Sequence, residues 1–150
     1  MLRGMFAFAI WDGRKQTMLL ARDRLGKKPL YYADYKGRLL FGSEVKCIIA
    51  DAEIPREVDP EALADYFSFL AIPAPKSIFK HVRKLRPAHY LVVTPNGVRE
   101  QEYWDIDFSQ TEIRSEAEWQ ERLLEALREA VGVRLMSEVQ LGAFLSGGVD

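Results

Sequence analysis

Met5-Phe6-Ala7-Phe8-Ala9-Ile10-Trp11-Asp12-Gly13 is the stretch on which the fold turns. From Met5 to Trp11 no polar residue interrupts the run. A strand that is apolar on both faces reads as a central strand, covered on each side. Asp12-Gly13 then supplies a hairpin signal, and Thr17–Asp23 is the returning strand. An antiparallel sheet is therefore expected at the start of the chain. A central strand needs a neighbour on each edge, so partners are expected upstream of Met1.

Working outward, the segment Arg22-Asp23-Arg24-Leu25-Gly26-Lys27-Lys28-Pro29 is a charged turn broken by Gly and Pro. Leu30–Tyr35 and Arg38–Ser43 flank a second hairpin turn at Lys36-Gly37. A short helix follows Ser43-Glu44 to about Asp51, with Val45, Ile48 and Ile49 on one face. Asp59-Pro60 marks a helix start, with Asp at the N-cap and Pro in the first turn. Leu63, Tyr66, Phe67 and Leu70 are spaced as one buried stripe, and Pro73 and Pro75 close the helix. Tyr90–Thr94 and Val98–Trp104 flank a third hairpin at Pro95-Asn96-Gly97. The hydrophobic pattern lapses from Asp105 to Arg114, which reads as a linker. Ser115 to Glu118 has the Ser-x-x-Glu form of a capping box. The helix it opens is expected to reach about Met136, with Trp119, Leu123, Leu127 and Val131 in line. Glu118–Arg122 and Glu125–Arg128 are spaced as surface pairs on it.

The chain closes on Val139-Gln140-Leu141-Gly142-Ala143-Phe144-Leu145-Ser146-Gly147-Gly148-Val149-Asp150. The apolar run predicts a buried strand. The Ser-Gly-Gly that follows has two readings. It can be an ordinary strand-to-helix turn. It can also be a phosphate turn, in which the glycines let successive N–H groups converge on an anion and the next helix N-terminus completes the site. It is neither a Walker loop nor a dinucleotide fingerprint. Hairpins dominate before residue 110 and a helix–strand–glycine-turn order after it, which is how an α/β nucleotide-binding domain begins. Both ends of the chain read as cuts through a larger protein.

Composition limits the function classes. With 150 residues, 48% hydrophobic and 29% charged, the chain is globular in type. A net charge of -1 leaves no basic excess for a nucleic-acid surface or a membrane surface. The longest apolar run is far too short to span a bilayer, and the first residues are no signal peptide. Cys47 is the single cysteine, so no internal disulfide forms. These features point to the cytoplasm.

Other candidates read as structure before chemistry. Cys47 sits in the short helix beside Ile48-Ile49 and reads as buried, inert packing. His81 and His89 lack metal-ligand spacing and read as surface or structural groups, so no metal site is assigned. The Arg22–Lys28 cluster reads most plainly as a solvated turn held by Arg–Asp pairs. The sharper reading makes it a binding loop beside a carboxylate ligand. The aromatics alternate at strand or helix spacing, as core residues do.

Four blocks together carry a resemblance: Arg3–Asp12, Arg22–Tyr32, Phe41–Lys46 and Leu145–Asp150. In that order they are similar to segments of the glutamine-dependent asparagine synthetases, and the similarity covers essentially the whole chain. The resemblance implies an α+β chain. Residues 1–108 would be the second half of an N-terminal-nucleophile αββα glutaminase sandwich. Residues 109–150 would be a linker with the first helix and strand of an α/β ATP pyrophosphatase domain, of the adenine nucleotide α-hydrolase type. The parent enzyme would be a carbon–nitrogen ligase. It would use ATP as co-substrate with Mg2+ to adenylate aspartate, and ammonia from glutamine to displace AMP. Aspartate, glutamine and ATP would be its small-molecule partners, with no nucleic acid or membrane, and the parent could be a homodimer.

The resemblance also assigns residues. Leu145 matches a residue that lines the adenine nucleotide. Ser146, Gly147, Gly148 and Asp150 match the pyrophosphate loop. The family's nucleophile is a cysteine at the mature N-terminus, and this chain begins Met1-Leu2. Cys47 matches no nucleophile position, so no catalytic residue is assigned, and the isolated chain is expected to be inactive. Two alternatives stand beside this reading. One is a related amidotransferase or β-lactam synthetase-like enzyme acting on another carboxylate. The other is a non-catalytic, shortened interaction module.

Overall fold

Local turn chemistry forms the first hairpin of the computed structural model, which describes residues 2–109, 111–144 and 147. Asp12 Oδ1 accepts from the N–H groups of Arg14 (2.9 Å) and Lys15 (3.1 Å), which folds the chain back on itself. Strand β1 (Ala7–Asp12) thereby pairs with β2 (Thr17–Arg22), from Ala7 opposite Arg22 to Asp12 opposite Thr17. The Asn96-Gly97 turn does the same later. There β6 (His89–Thr94) pairs with β7 (Gly97–Glu102), and Gly97 takes φ +131°, a backbone region that favours glycine. β2 also pairs with β6, giving one antiparallel sheet in the order β1-β2-β6-β7.

The second hairpin builds another sheet. β3 (Tyr31–Tyr35) lies between β4 (Arg38–Gly42) and the two-residue β5 (Arg83–Lys84). Period-two alternation splits β3 between two cores. Tyr32 joins Leu20, Leu30, Leu85 and Leu91, the cluster shared with the first sheet. Ala33 joins Ile48, Ile54 and Val82, with Tyr31 and Tyr35 packed alongside. Ile48 belongs to helix α1 (Val45–Ile49), so α1 covers the face of the smaller sheet that points away from the larger one. Leu20, Ile48, Leu85 and Leu91 are fully buried. Each such side chain contributes roughly 1.5–3 kcal/mol of transfer free energy.

Helix α2 (Pro60–Phe69) starts as its sequence predicts. Asp59 Oδ1 accepts from Glu61 N at 2.9 Å and Ala62 N at 3.3 Å. The expected buried stripe on α2 is corrected. Ala62 is its one buried residue, while Leu63, Tyr66, Phe67 and Leu70 are exposed, Phe67 by 75%. Spacing marks a common face, but burial needs an element packed on it, and none of the described residues does this for the stripe. The central position expected for β1, with a further partner upstream of Met1, is neither borne out nor contradicted by the strands described. Among the described residues β1 pairs with β2 alone, and Ile10 and Trp11 are each 54% exposed.

A second unit spans Asp107–Asp150. The capping box forms as expected. Ser115 Oγ accepts from Glu118 N, and Glu118 Oε2 accepts from Ser115 N at 2.8 Å. Helix α3 runs Glu116–Gly132, ending short of Met136. The expected Glu118–Arg122 pair does not form, because Glu118 is held by the cap. Arg122 pairs instead with Glu112 at 2.6 Å, and both Arg114 and Arg122 lie over the Trp119 ring. The strand expected over 139–145 is absent through residue 144, where the chain is irregular and exposed. An isolated strand leaves its N–H and C=O groups without ladder partners, and the described residues of this unit include no second strand. No helix among the described residues is long and apolar enough to cross a membrane.

Candidate functional site

The charged turn after β2 is the most tightly organised polar structure among the described residues. Asp23 is 2% exposed and accepts four backbone N–H groups. Oδ1 takes Lys27 N (2.9 Å) and Leu25 N (3.2 Å), and Oδ2 takes Lys28 N (2.9 Å) and Phe6 N (3.3 Å). Burial works against the carboxylate, but the four donors outweigh it and hold Asp23 below the usual carboxylate range. The Asp23 backbone extends the same anchor. Its N–H donates to Phe6 O at 2.8 Å, and its carbonyl accepts from Gly26 N and Ala88 N.

Arg22 completes the turn from the other side. Its guanidinium donates to the carbonyls of Lys28 (2.8 Å), Gly26 (2.8 Å) and Leu85 (2.6 Å). Partial burial, opposed by Asp23, lowers its pKa. Gly26 sits at φ +64°, and a β-carbon there would fall 2.9 Å from Pro87 Cγ and 3.0 Å from Arg22 Cζ. Both readings of the cluster are thus refined. Asp–backbone and Arg–backbone bonds hold its shape, and Asp23 and Arg22 are spent on the fold.

Between the sheets lies a cavity of about 460 Å3, lined by Tyr32, Asp34, His81, Arg83, Leu91 and Glu100 among others. Glu100 faces inward because it stands opposite Leu91 in the β6–β7 register. Tyr32 Oη donates to Glu100 Oε2 at 3.5 Å, while Oε1 is buried without a hydrogen-bond partner and has Arg86 Nη1 3.9 Å away. Burial, then the Glu100 carboxylate, raises the Tyr32 phenol above its usual range. Residue-by-residue reading passed over this pair. The alternation of Val98 and Glu100 on one face of β7 was the available signal. His81 sits 4.0 Å from Glu57, and Lys80 pairs with the same carboxylate. The cavity walls carry both charges, and among the described residues lining them there is no cysteine, serine or threonine.

Cys47 is exposed on α1, which corrects its expected burial: it lies beside Gly42 at the rim while Ile48 takes the core position. His89 donates its Nδ1–H to Pro87 O, 2.7 Å away, as a structural residue does. Of the residues expected to hold a nucleotide, Leu145, Ser146, Gly148 and Asp150 lie outside the described residues, and Gly147 is an exposed bend.

Comparison with known proteins follows the same division of the chain. The glutamine amidotransferase domain family matches residues 1–104, and the asparagine synthase family matches residues 122–150. The chain is 37% identical to glutamine-hydrolysing asparagine synthetase 3 of Bacillus subtilis over 150 residues, covering 99% of this chain and 24% of that protein. It is 39% identical to amidase chry2 of Gibberella zeae over 158 residues, covering 99% of this chain and 22% of the relative. A putative glutamine-hydrolysing asparagine synthetase 2 of Methanocaldococcus jannaschii is 37% identical over 152 residues, covering 98% of this chain and 29% of that protein. The chain thus spans between 22% and 29% of the length of these relatives. With 104 of its 150 residues matched, the chain belongs to the glutamine amidotransferase domain family.

Proposed function

We propose that this chain is a portion of a glutamine-dependent asparagine synthetase. The observation that carries this reading is the order of two matches in one chain: glutamine amidotransferase over 1–104, then asparagine synthase over 122–150. A glutaminase yields ammonia, and a synthetase needs ammonia at an activated carboxylate. One chain joining the two suits that coupling. In the parent enzyme, an aspartate side-chain oxygen attacks the α-phosphorus of ATP and pyrophosphate leaves. Ammonia then attacks the acyl carbon and AMP leaves, giving asparagine.

On this reading residues 1–108 are the C-terminal part of the glutaminase, folded as part of an N-terminal-nucleophile αββα sandwich. Residues 109–150 are the linker and the start of the ATP-binding domain. Leu145 lines the adenine nucleotide. Ser146, Gly147, Gly148 and Asp150 form the pyrophosphate loop, where glycine backbone lets N–H groups converge on phosphate oxygens. Mg2+ belongs to the parent's nucleotide chemistry. The described residues hold no group of three His, Cys, Asp or Glu that could bind it, and no step is assigned through it. The parent acts in the cytoplasm on small molecules.

The 150-residue chain by itself is expected to hydrolyse neither glutamine nor ATP. Its single cysteine lies within α1, without the free α-amine that serves an N-terminal nucleophile as base. Glutamate and AMP release by the purified chain are the measurements, and turnover of either substrate contradicts the expectation. The parent reading is tested on the full reading frame. Asparagine formation from aspartate, glutamine and ATP supports it. Relatives that are named amidases and not asparagine synthetases, at 39% and 38% identity, leave room for a second reading in which another carboxylate is amidated. Glutamine hydrolysis with aspartate rejected and a different acid amidated would select that second reading.

A further inference from the structure

Near α2 lies a smaller cavity of about 310 Å3, separate from the one between the sheets. Its walls include Tyr31, Tyr66, Ile72 and Ile78, and among the described residues Lys84 is the only charged one lining it. Ser77 also touches it, but its hydroxyl is engaged, donating to Val82 O at 2.7 Å and accepting from Phe79 N. Lys84 is different. Its ammonium donates to the Ile72 carbonyl and has no carboxylate partner among the described residues. Burial, then the neighbouring Arg22 guanidinium, lowers its pKa. An ammonium has three donors. One is used, and the charge sits beside apolar walls. A partly buried cation without a counter-charge is unfavourable, and an incoming anion relieves it. Mostly apolar walls, one placed polar group and a volume near the lower end of the usual range are the features of a small-molecule pocket.

We propose that this cavity binds a small carboxylate with an apolar body. The carboxylate pairs with Lys84 Nζ, and the body lies among Tyr31, Tyr66, Ile72 and Ile78. The amino-acid substrates of the proposed reaction are poor fits, because their second polar group would lose its hydration against these walls. The site is therefore independent of that reaction, and its test does not depend on turnover.

The probe is 3-phenylpropionate, titrated into the isotope-labelled 150-residue chain and followed by NMR. Saturable shifts are expected at Tyr31, Tyr66, Ile72 and Ile78. The neutral 3-phenylpropionamide lacks the charge and acetate lacks the body, so each should bind at least tenfold more weakly. Lys84→Met keeps the aliphatic stem and should lose the same factor, with Lys84→Arg recovering part of it. The titration midpoint of the Lys84 side chain should rise when the acid is bound. The proposal is overturned if nothing saturates, if the acid and its amide bind alike, or if Lys84→Met binds undiminished. The comparison of acid with amide uses the unaltered chain, so a failure of the variant to fold leaves the test intact.

Discussion

Asp23 shows how one side chain can fix a turn that joins distant segments. Its carboxylate gathers Phe6, Leu25, Lys27 and Lys28, and its carbonyl holds Ala88 ahead of β6. Asp23→Asn turns an acceptor oxygen into an NH2 group that faces backbone donors. A loss of about 2–3 kcal/mol is expected, read from the urea midpoint near neutral pH. The pH dependence has a definite sign. The folded pKa of Asp23 is lowered, so its contribution is complete above the unfolded carboxylate pKa of about 3.9. It is lost as the pH falls from there through the folded value. The stability gap between the parent and Asp23→Asn should therefore close on acidification, and a gap that widens would contradict this account. Gly26 is the second fixed point. Gly26→Ala combines φ +64° with contacts at 2.9–3.0 Å to Pro87 and Arg22, and should cost about 1–3 kcal/mol by thermal unfolding. The sequence placed a charged turn here but could not say which partners the charges take. Those partners, Phe6, Leu85 and Ala88, come from other segments.

At the scale of elements, what forms through near neighbours was legible. The Asp12-Gly13 and Asn96-Gly97 hairpins, the Asp59 cap of α2 and the Ser115–Glu118 capping box all depend on residues within a few positions. The α2 stripe and the strand after α3 were misjudged because coverage and pairing are supplied from elsewhere in the structure. The end of α2 adds a detail that periodicity does not carry. Its C-cap is Leu70 in the left-handed region, φ +55°, and 81% exposed. A β-carbon is unfavourable there by roughly 1–2 kcal/mol. Glycine relieves that strain, offset in part by its greater freedom in the unfolded chain. Leu70→Gly should therefore raise stability by about 0.5–1 kcal/mol. Chemical denaturation checks it, and a loss of stability would show that the Leu70 side chain makes a contact worth more than the strain.

The described residues combine two buried apolar clusters with large apolar side chains on the surface. Two sheets share Leu20, Leu30, Tyr32, Leu85 and Leu91, and the smaller sheet packs its far face on α1. That layering follows from the alternation along β3, where Tyr32 and Ala33 enter opposite cores. The proposed nucleotide loop is the reverse case. The residue pattern of Leu145–Asp150 supports only the proposal of a phosphate turn, and of those residues Gly147 alone is among the described ones. β1 then sets the solution behaviour. It pairs on one side only among the described residues, and Ile10 and Trp11 stand exposed beside its unpaired N–H and C=O groups. An apolar strand edge of this kind is a template for pairing with another chain, and charge on such an edge opposes it. The 150-residue chain should associate with rising concentration in sedimentation velocity. Trp11→Lys should shift it toward monomer. Trp11 is more than half exposed, so the variant's unfolding free energy should stay within about 0.5 kcal/mol of the parent. Association that persists in Trp11→Lys, with stability unchanged, would move the contact away from β1 to the exposed apolar face of α2 or α3, which Phe67→Lys and Leu123→Lys separate.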